Sequence, residues 1–125
     1  MSSPSDTPVA DAWTWVRVAP ADAVAPGSVV ADDAHDVVVW RTASGRPCVV
    51  DARCPHQWSH LAAEGVVDGE ELVCAAHFWR FDLDGRGTKL NVGGRRDPKA
   101  DVEVFECRED DGALWARLDP ARGRR

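Results

Sequence analysis

Two short segments, Cys54-Pro55-His56 and Cys74-Ala75-Ala76-His77, constrain this chain more than any other part of it. Each supplies one thiol and one imidazole, and each carries tight hairpin signals, so the fold has to bring two loop tips together. A set of two Cys and two His suits a tetrahedral zinc or an iron–sulfur centre with mixed ligation. Structural zinc sites usually take their ligands as Cys–Cys and His–His pairs, whereas here each half is mixed. One Cys and one His per loop lets two loops grip a two-iron cluster from opposite sides, with thiolates on one iron and imidazoles on the other.

The chain of 125 residues fits one domain. A hydrophobic fraction of 44% with 29% charged residues is ordinary for a globular protein. No apolar run approaches a membrane span, and the polar, acidic start lacks the features of a secretory signal, so a cytoplasmic protein is expected. The formal charge of −6 argues against a nucleic-acid partner. It favours protein partners with basic docking faces, or serves solubility. Four cysteines in such a chain are expected as reduced thiols or metal ligands. Cys48 and Cys107 fall in strand-like runs and read as core fillers.

Residues 1–10 have the Ser/Pro/Asp composition of a disordered start, and residues 120–125 form a basic tail, leaving 11–119 as the domain. Alternation predicts a first strand over 13–18, and a second begins near Val29. The run 36–42, with Val37, Val38, Val39 and Trp40, is the best strand by β-branched and aromatic content. Ser44-Gly45 turns it into 47–52, which delivers Cys54. Strands at 71–73 and 80–83 flank the second loop; 91–100 reads as a loop; 102–108 and 113–118 form a hairpin across Asp110-Asp111-Gly112. Only 61–64 offers a helical turn, with extended loop as the alternative. Many short strands with Gly and Asp turns predict an all-β antiparallel sandwich or barrel. Trp13, Trp15, Trp40 and Trp115 fall in the strands and are expected to fill the core or cover sheet edges.

Cys-x-His followed by Cys-x2-His at this separation resembles the Rieske [2Fe–2S] family, over about residues 37–118. Leu61 sits where the first loop of these proteins turns back into the body. Trp79-Arg80-Phe81-Asp82 is similar to the aromatic-rich strand after the second loop, and Asp84-Gly85 to the turn that follows. The resemblance implies a Rieske-type sandwich with a cluster-binding subdomain of two hairpin loops, and one [2Fe–2S] cluster held by Cys54, His56, Cys74 and His77. Two imidazoles in place of two thiolates remove negative charge and raise the potential into a range of roughly −150 to +300 mV. High-potential members tie their loops with a disulfide between two further cysteines; the corresponding places here are Ser59 and Ala76. No Tyr exists to hydrogen-bond a cysteine sulfur. The low end of the range is therefore expected, falling further as pH rises through the imidazole pKa values.

The chain departs from the family at three places. Ala75 replaces a common Pro, Phe78 a common Gly in the second loop, and Trp58 a common Gly in the first. Trp58 and Phe78 are expected to form an aromatic collar beside the exposed imidazole edge, as part of the face on which partners dock, or else ordinary packing. His60, without a counterpart in the paired loop, reads as lying on the surface or beside the ligands, as does Trp79. His35, among Asp32, Asp33 and Asp36, reads as part of an acidic exposed loop. Pro98 is similar to the proline of a loop that covers the cluster in this family.

The function implied is that of a Rieske-type ferredoxin carrying single electrons from a flavin-containing reductase to a terminal oxygenase, with no catalytic site of its own. A Rieske small subunit of a larger oxidoreductase would use the same cluster. A Rieske oxygenase domain would need a further iron site with two His and a carboxylate, for which only His35 and His60 remain. A zinc-stabilised interaction module is the alternative from a different class.

Overall fold

The computed structural model describes residues 13–55, 59–119 and 121–122; the disordered start expected at 1–10 lies outside them. Strands β1 (Thr14–Pro20), β12 (Ala113–Leu118) and β11 (Cys107–Asp110) form one antiparallel sheet. The second sheet runs β10 (Val104–Phe105), β4 (Pro47–Asp51), β3 (Val37–Arg41), β2 (Val29–Asp32). The third is a meander of β5 (Gly65–Asp68), β6 (Glu71–Cys74), β7 (Trp79–Phe81), β8 (Gly87–Leu90) and β9 (Arg96–Lys99). This is an all-β antiparallel architecture in which the described residues add one α-helical turn, α1 (Leu61–Glu64), and one 3-10 turn (Ala21–Ala23).

The second sheet is central because its strands are apolar on both faces. Val37, Val39 and Val49 meet Leu114, Ala116, Leu118 and Phe105 in a basal core. Val38, Trp40, Cys48 and Val50 meet Leu72, Cys74 and Phe81 in a second core beneath the five-stranded sheet, together with Cys54 and Leu61. Successive side chains of a strand point to opposite faces, so the run Val37–Trp40 feeds two cores at once. Arg41 follows at 8% exposure. Its guanidinium donates to the carbonyls of Val24 (2.6 Å), Gly45 (3.0 Å) and Ala21 (3.1 Å) and to Glu109 (3.2 Å), which satisfies a charge that burial would otherwise penalise.

Two expectations are corrected. The loop reading of 91–100 fails: β9 pairs with β8 from Gly87↔Lys99 to Leu90↔Arg96, and Pro98 sits in this edge strand. An edge strand tolerates a proline because one row of its amides has no ladder partner. The single strand expected over 102–108 is two strands in different sheets, β10 on β4 and β11 on β12. The break at Glu106 carries the chain from one sheet to the other. The tail is also anchored. Arg122 pairs with Asp51 (3.0 Å), donates to the Asp36 carbonyl (3.1 Å) and lies 4.8 Å from the Phe105 ring centroid.

Three hairpins share one turn design: Thr42-Ala43-Ser44-Gly45-Arg46, Asp82-Leu83-Asp84-Gly85-Arg86 and Asn91-Val92-Gly93-Gly94-Arg95. In each, the first residue's side-chain oxygen accepts from the backbone amide of the Arg (3.0 Å each), and the fourth is a Gly with φ of 96°, 82° and 80°. A left-handed residue is required there, which explains the glycine.

The outer face of the five-stranded sheet carries a ladder of charges. Arg80 on β7 pairs with Asp68 on β5 and Glu71 on β6 (2.8 Å), and Arg96 on β9 reaches Glu71 (2.6 Å) and Thr88 on β8 (3.1 Å). All five strands are tied across, over a Val73 that is 5% exposed. Bonds from Arg96 and Arg80 hold the Glu71 carboxyl below the ordinary carboxylate range. A depressed folded pKa means that the stabilisation is present above the unfolded Glu value and lost as pH falls through the folded one. Glu71→Gln is expected to cost about 1–2 kcal/mol at pH 7, and thermal melts of the two proteins should converge as pH falls below that of an ordinary Glu.

Candidate metal centre

The first loop leaves β4 and returns at α1. Its stem is closed by an antiparallel bridge between Arg53 and His60 and by the Cys54 amide donating to the Ser59 carbonyl (2.8 Å). The Leu61 amide then donates to the Ala52 carbonyl (2.7 Å), and its side chain, fully buried, enters the core. His56 and Trp58 lie outside the described residues. The second loop leaves β6 at Cys74 and rejoins the sheet at Trp79, which pairs with Cys74 across the ladder. Its turn is closed by the Phe78 amide donating to the Cys74 carbonyl (2.7 Å). The loops are joined through α1, since the Ala75 amide donates to the Glu64 carbonyl (2.7 Å).

Both loops therefore hold their cysteine at the stem. Cys54 and Cys74 are each 1% exposed, belong to the same core, and neither forms a disulfide. Two unbridged thiols at the mouths of neighbouring loops, sealed from below by Leu61, Leu72 and Phe81, fit one face of a two-iron cluster. His77 is half-buried at the tip of the second loop. Among the described residues no three His, Cys, Asp or Glu side chains gather around a single ion. A cluster of two irons with two protein ligands each does not require them to.

The other predicted residues fall as follows. His60 caps α1: its Nδ1 accepts from the Ala62 amide (3.1 Å), and its Nε2 is 4.0 Å from Asp33. It stabilises the return of the first loop. Trp79 packs against the core, with the Lys99 ammonium 5.8 Å from its ring centroid. Pro98 is exposed and pairs with Thr88, on the far side of β8 from β7. His35 bonds Asp32 (2.8 Å) in the turn between β2 and β3. Residues that the motif reading did not single out also hold the site. Gly65 lies opposite Cys74, where a Cβ would fall 2.0 Å from the Leu61 carbonyl oxygen, so only glycine lets β5 follow α1 this closely.

Phe78, in the place of a common glycine, has φ of 62° and is 64% exposed. A left-handed conformation costs an L-residue about 1–2 kcal/mol, and an exposed ring recovers little of that by burial. Phe78→Gly is expected to raise stability by up to about 1 kcal/mol and Phe78→Val to lower it, read as opposite shifts in melting temperature of the iron-loaded proteins.

The profile of the Rieske [2Fe-2S] domain matches residues 14–106. Cholesterol 7-desaturase nvd 1 of Ciona intestinalis is 32% identical over 109 residues, which is 84% of this chain and 23% of that protein. The chain thus spans about a quarter of the curated relatives it matches. Among solved structures, apo dicamba monooxygenase superposes with a TM-score of 0.68 at 24% identity, covering 86% of this chain and 34% of that one. A chain in a complex of reduced oxygenase and oxidized ferredoxin in carbazole 1,9a-dioxygenase superposes with a TM-score of 0.63 at 21% identity, covering 82% and 92%. These superpositions agree with the observed sheet architecture. With the loops, the paired cysteines and the family profile in agreement, this chain belongs to the Rieske [2Fe-2S] domain family, and its cofactor is a Rieske-type [2Fe–2S] cluster.

Proposed function

We propose that Cys54 and Cys74 hold one iron of the cluster and His56 and His77 the other, and that the domain carries single electrons from a flavin-containing reductase to a terminal oxygenase. The observation that supports this most directly is the shared burial of two unbridged cysteines at the stems of two adjoining loops. When bound, the cluster supplies reversible one-electron chemistry. The chain's own part is different. Leu61, Leu72 and Phe81 keep water from the thiol side, while the half-buried His77 leaves an imidazole edge where a partner can approach. His35 and His60 are engaged by Asp32 and by the α1 amide, which speaks for a carrier rather than for a second metal site within these residues.

A second reading has an observation in its favour. The curated relatives above 30% identity include oxygenases and desaturases about four times longer than this chain, in which the matched part is one portion. The domain would then pass its electron to a catalytic iron in the same assembly. The carrier reading is supported by the nearly complete coverage of the shorter chain in the carbazole dioxygenase complex. The two separate on whether the reduced protein donates to an oxygenase added in trans.

Anaerobically purified protein should contain two irons and two acid-labile sulfides per chain and give a reduced-state EPR signal; a colourless, zinc-loaded sample would sink the proposal. Cys74→Ser should abolish colour and signal, whereas Cys107→Ser should keep both.

A further inference from the structure

The three hairpin tips of common design do not share a common fate. The first is seated on the turn between β5 and β6: the Ala43 amide donates to the Gly69 carbonyl (2.7 Å), and Ser44 bonds Glu70 through its hydroxyl (2.8 Å) and its amide (3.2 Å). The second is seated on the segment before β10, where the Gly85 carbonyl accepts from the Val102 amide (2.9 Å) and Leu83 packs on the core. The third, Asn91 to Arg95, touches nothing comparable among the described residues. Its second residue, Val92, is 109% exposed, and a Cβ placed on Gly94 would meet no atom within 4 Å.

The register places this tip beside the metal centre. Cys74 pairs with Trp79, Arg80 with Thr88 and Leu90 with Arg96. Carried two residues beyond the Arg80 row, the β7–β8 register sets Leu90 level with Phe78, so the third tip projects from the same end of the sheet as the second loop. Phe78, Leu90 and Val92, at 64%, 46% and 109% exposure, are three of the four exposed large apolar residues among those described, and all lie at this end. Single exposed apolar residues need no explanation, but three around one redox loop form a patch.

Charge distinguishes this hairpin from the rest of the chain. Residues 86–99 carry Arg86, Lys89, Arg95, Arg96 and Lys99 against one carboxylate, Asp97, within a chain of net charge −6. The acidic excess falls elsewhere, notably on Asp101, Glu103, Glu106, Glu109, Asp110 and Asp111. Arg96 is committed to Glu71. Lys89 and Arg95 make no ion pair with the described residues; Arg95 is exposed at the tip, and Lys89, half-buried, lies across the ladder from Asp97.

On the electron-carrier reading, on which this rests, we infer that the Asn91–Arg95 tip with Leu90 and Lys89 is the docking element for a redox protein whose electron-transfer face is apolar at its centre and rimmed by carboxylates. The overall acidity of the chain suggested basic partner faces; the distribution of charge assigns the opposite sign to this end. Apolar contact from Leu90 and Val92 would give affinity, and the cations would steer the encounter.

The test uses the full-length iron-loaded protein and two probes in stopped flow: ferricyanide as oxidant of the reduced cluster, and the hydroquinone of an acidic flavodoxin as reductant of the oxidised one. Lys89→Glu with Arg95→Glu should slow both reactions about tenfold at low ionic strength, with wild type and variant converging as salt screens the charges. Leu90→Ser with Val92→Ser should weaken only the saturable flavodoxin reaction, again about tenfold. Both variants should keep the wild-type EPR spectrum and potential. Normal spectra with unchanged flavodoxin kinetics would overturn the docking element while leaving the carrier reading intact; a wild type without cluster would overturn the carrier reading itself. Concentration-dependent dimerisation lost in the Lys89/Arg95 variant would assign the tip to a second copy of this chain and overturn the partner proposed.

Discussion

Val37, Val38, Val39 and Trp40 are each 0% exposed, and a strand buried on both faces has to be covered on both. The rest of the architecture answers that demand. The sheet of β1, β11 and β12 covers one face; the meander that carries the second loop covers the other. Because Cys54 and Cys74 lie in the upper of the two cores, the stems of both loops rest directly on the central sheet. Packing beneath the cysteines is therefore the same packing that holds the fold together, and a void opened at Trp40 or Phe81 would be felt at the loop stems.

Backbone bonds and caps place the described ends of the two loops. Cys54 is fixed through Ser59, Cys74 through Phe78, and each loop leans on α1 through His60 or Glu64. A helix of one turn has no stability alone. Here it functions as a spacer whose N-cap histidine and C-terminal carbonyl hold opposite loops at a set separation. Gly65 makes that spacer possible by letting the next strand begin within contact of the Leu61 carbonyl.

Much of this was legible in the sequence because it depends on local chemistry. The Cys/His spacing, the Val37–Trp40 run, the turn at Asp111-Gly112 and the helical turn after His60 all read directly. The hairpin of β8 and β9 did not, since Gly93, Gly94 and Pro98 depress strand propensity; yet its turn has the same form as those at Thr42 and Asp82, and that likeness was the available signal. The division at Glu106 was not legible. The run from Val102 to Cys107 is strand-like on both sides of the adjacent pair Val104-Phe105, where its alternation changes phase, and which sheet each half joins is decided by what lies across from it. The role of His60 was hidden for a similar reason: its proximity to His56 draws attention to metal binding, while its function depends on an amide two residues onward.

Cys48 and Cys107 give the domain a property separate from cluster binding. Burial pushes the Cys48 thiol up to about 12 and the Cys107 thiol to about 11. At neutral pH both stay protonated, and a protonated thiol is a poor nucleophile and a poor iron ligand. In the folded domain these two positions thus present no rival thiolate beside the loop cysteines. A thiol held in its protonated form is also a slow partner for oxidants, since the thiolate is the reactive species.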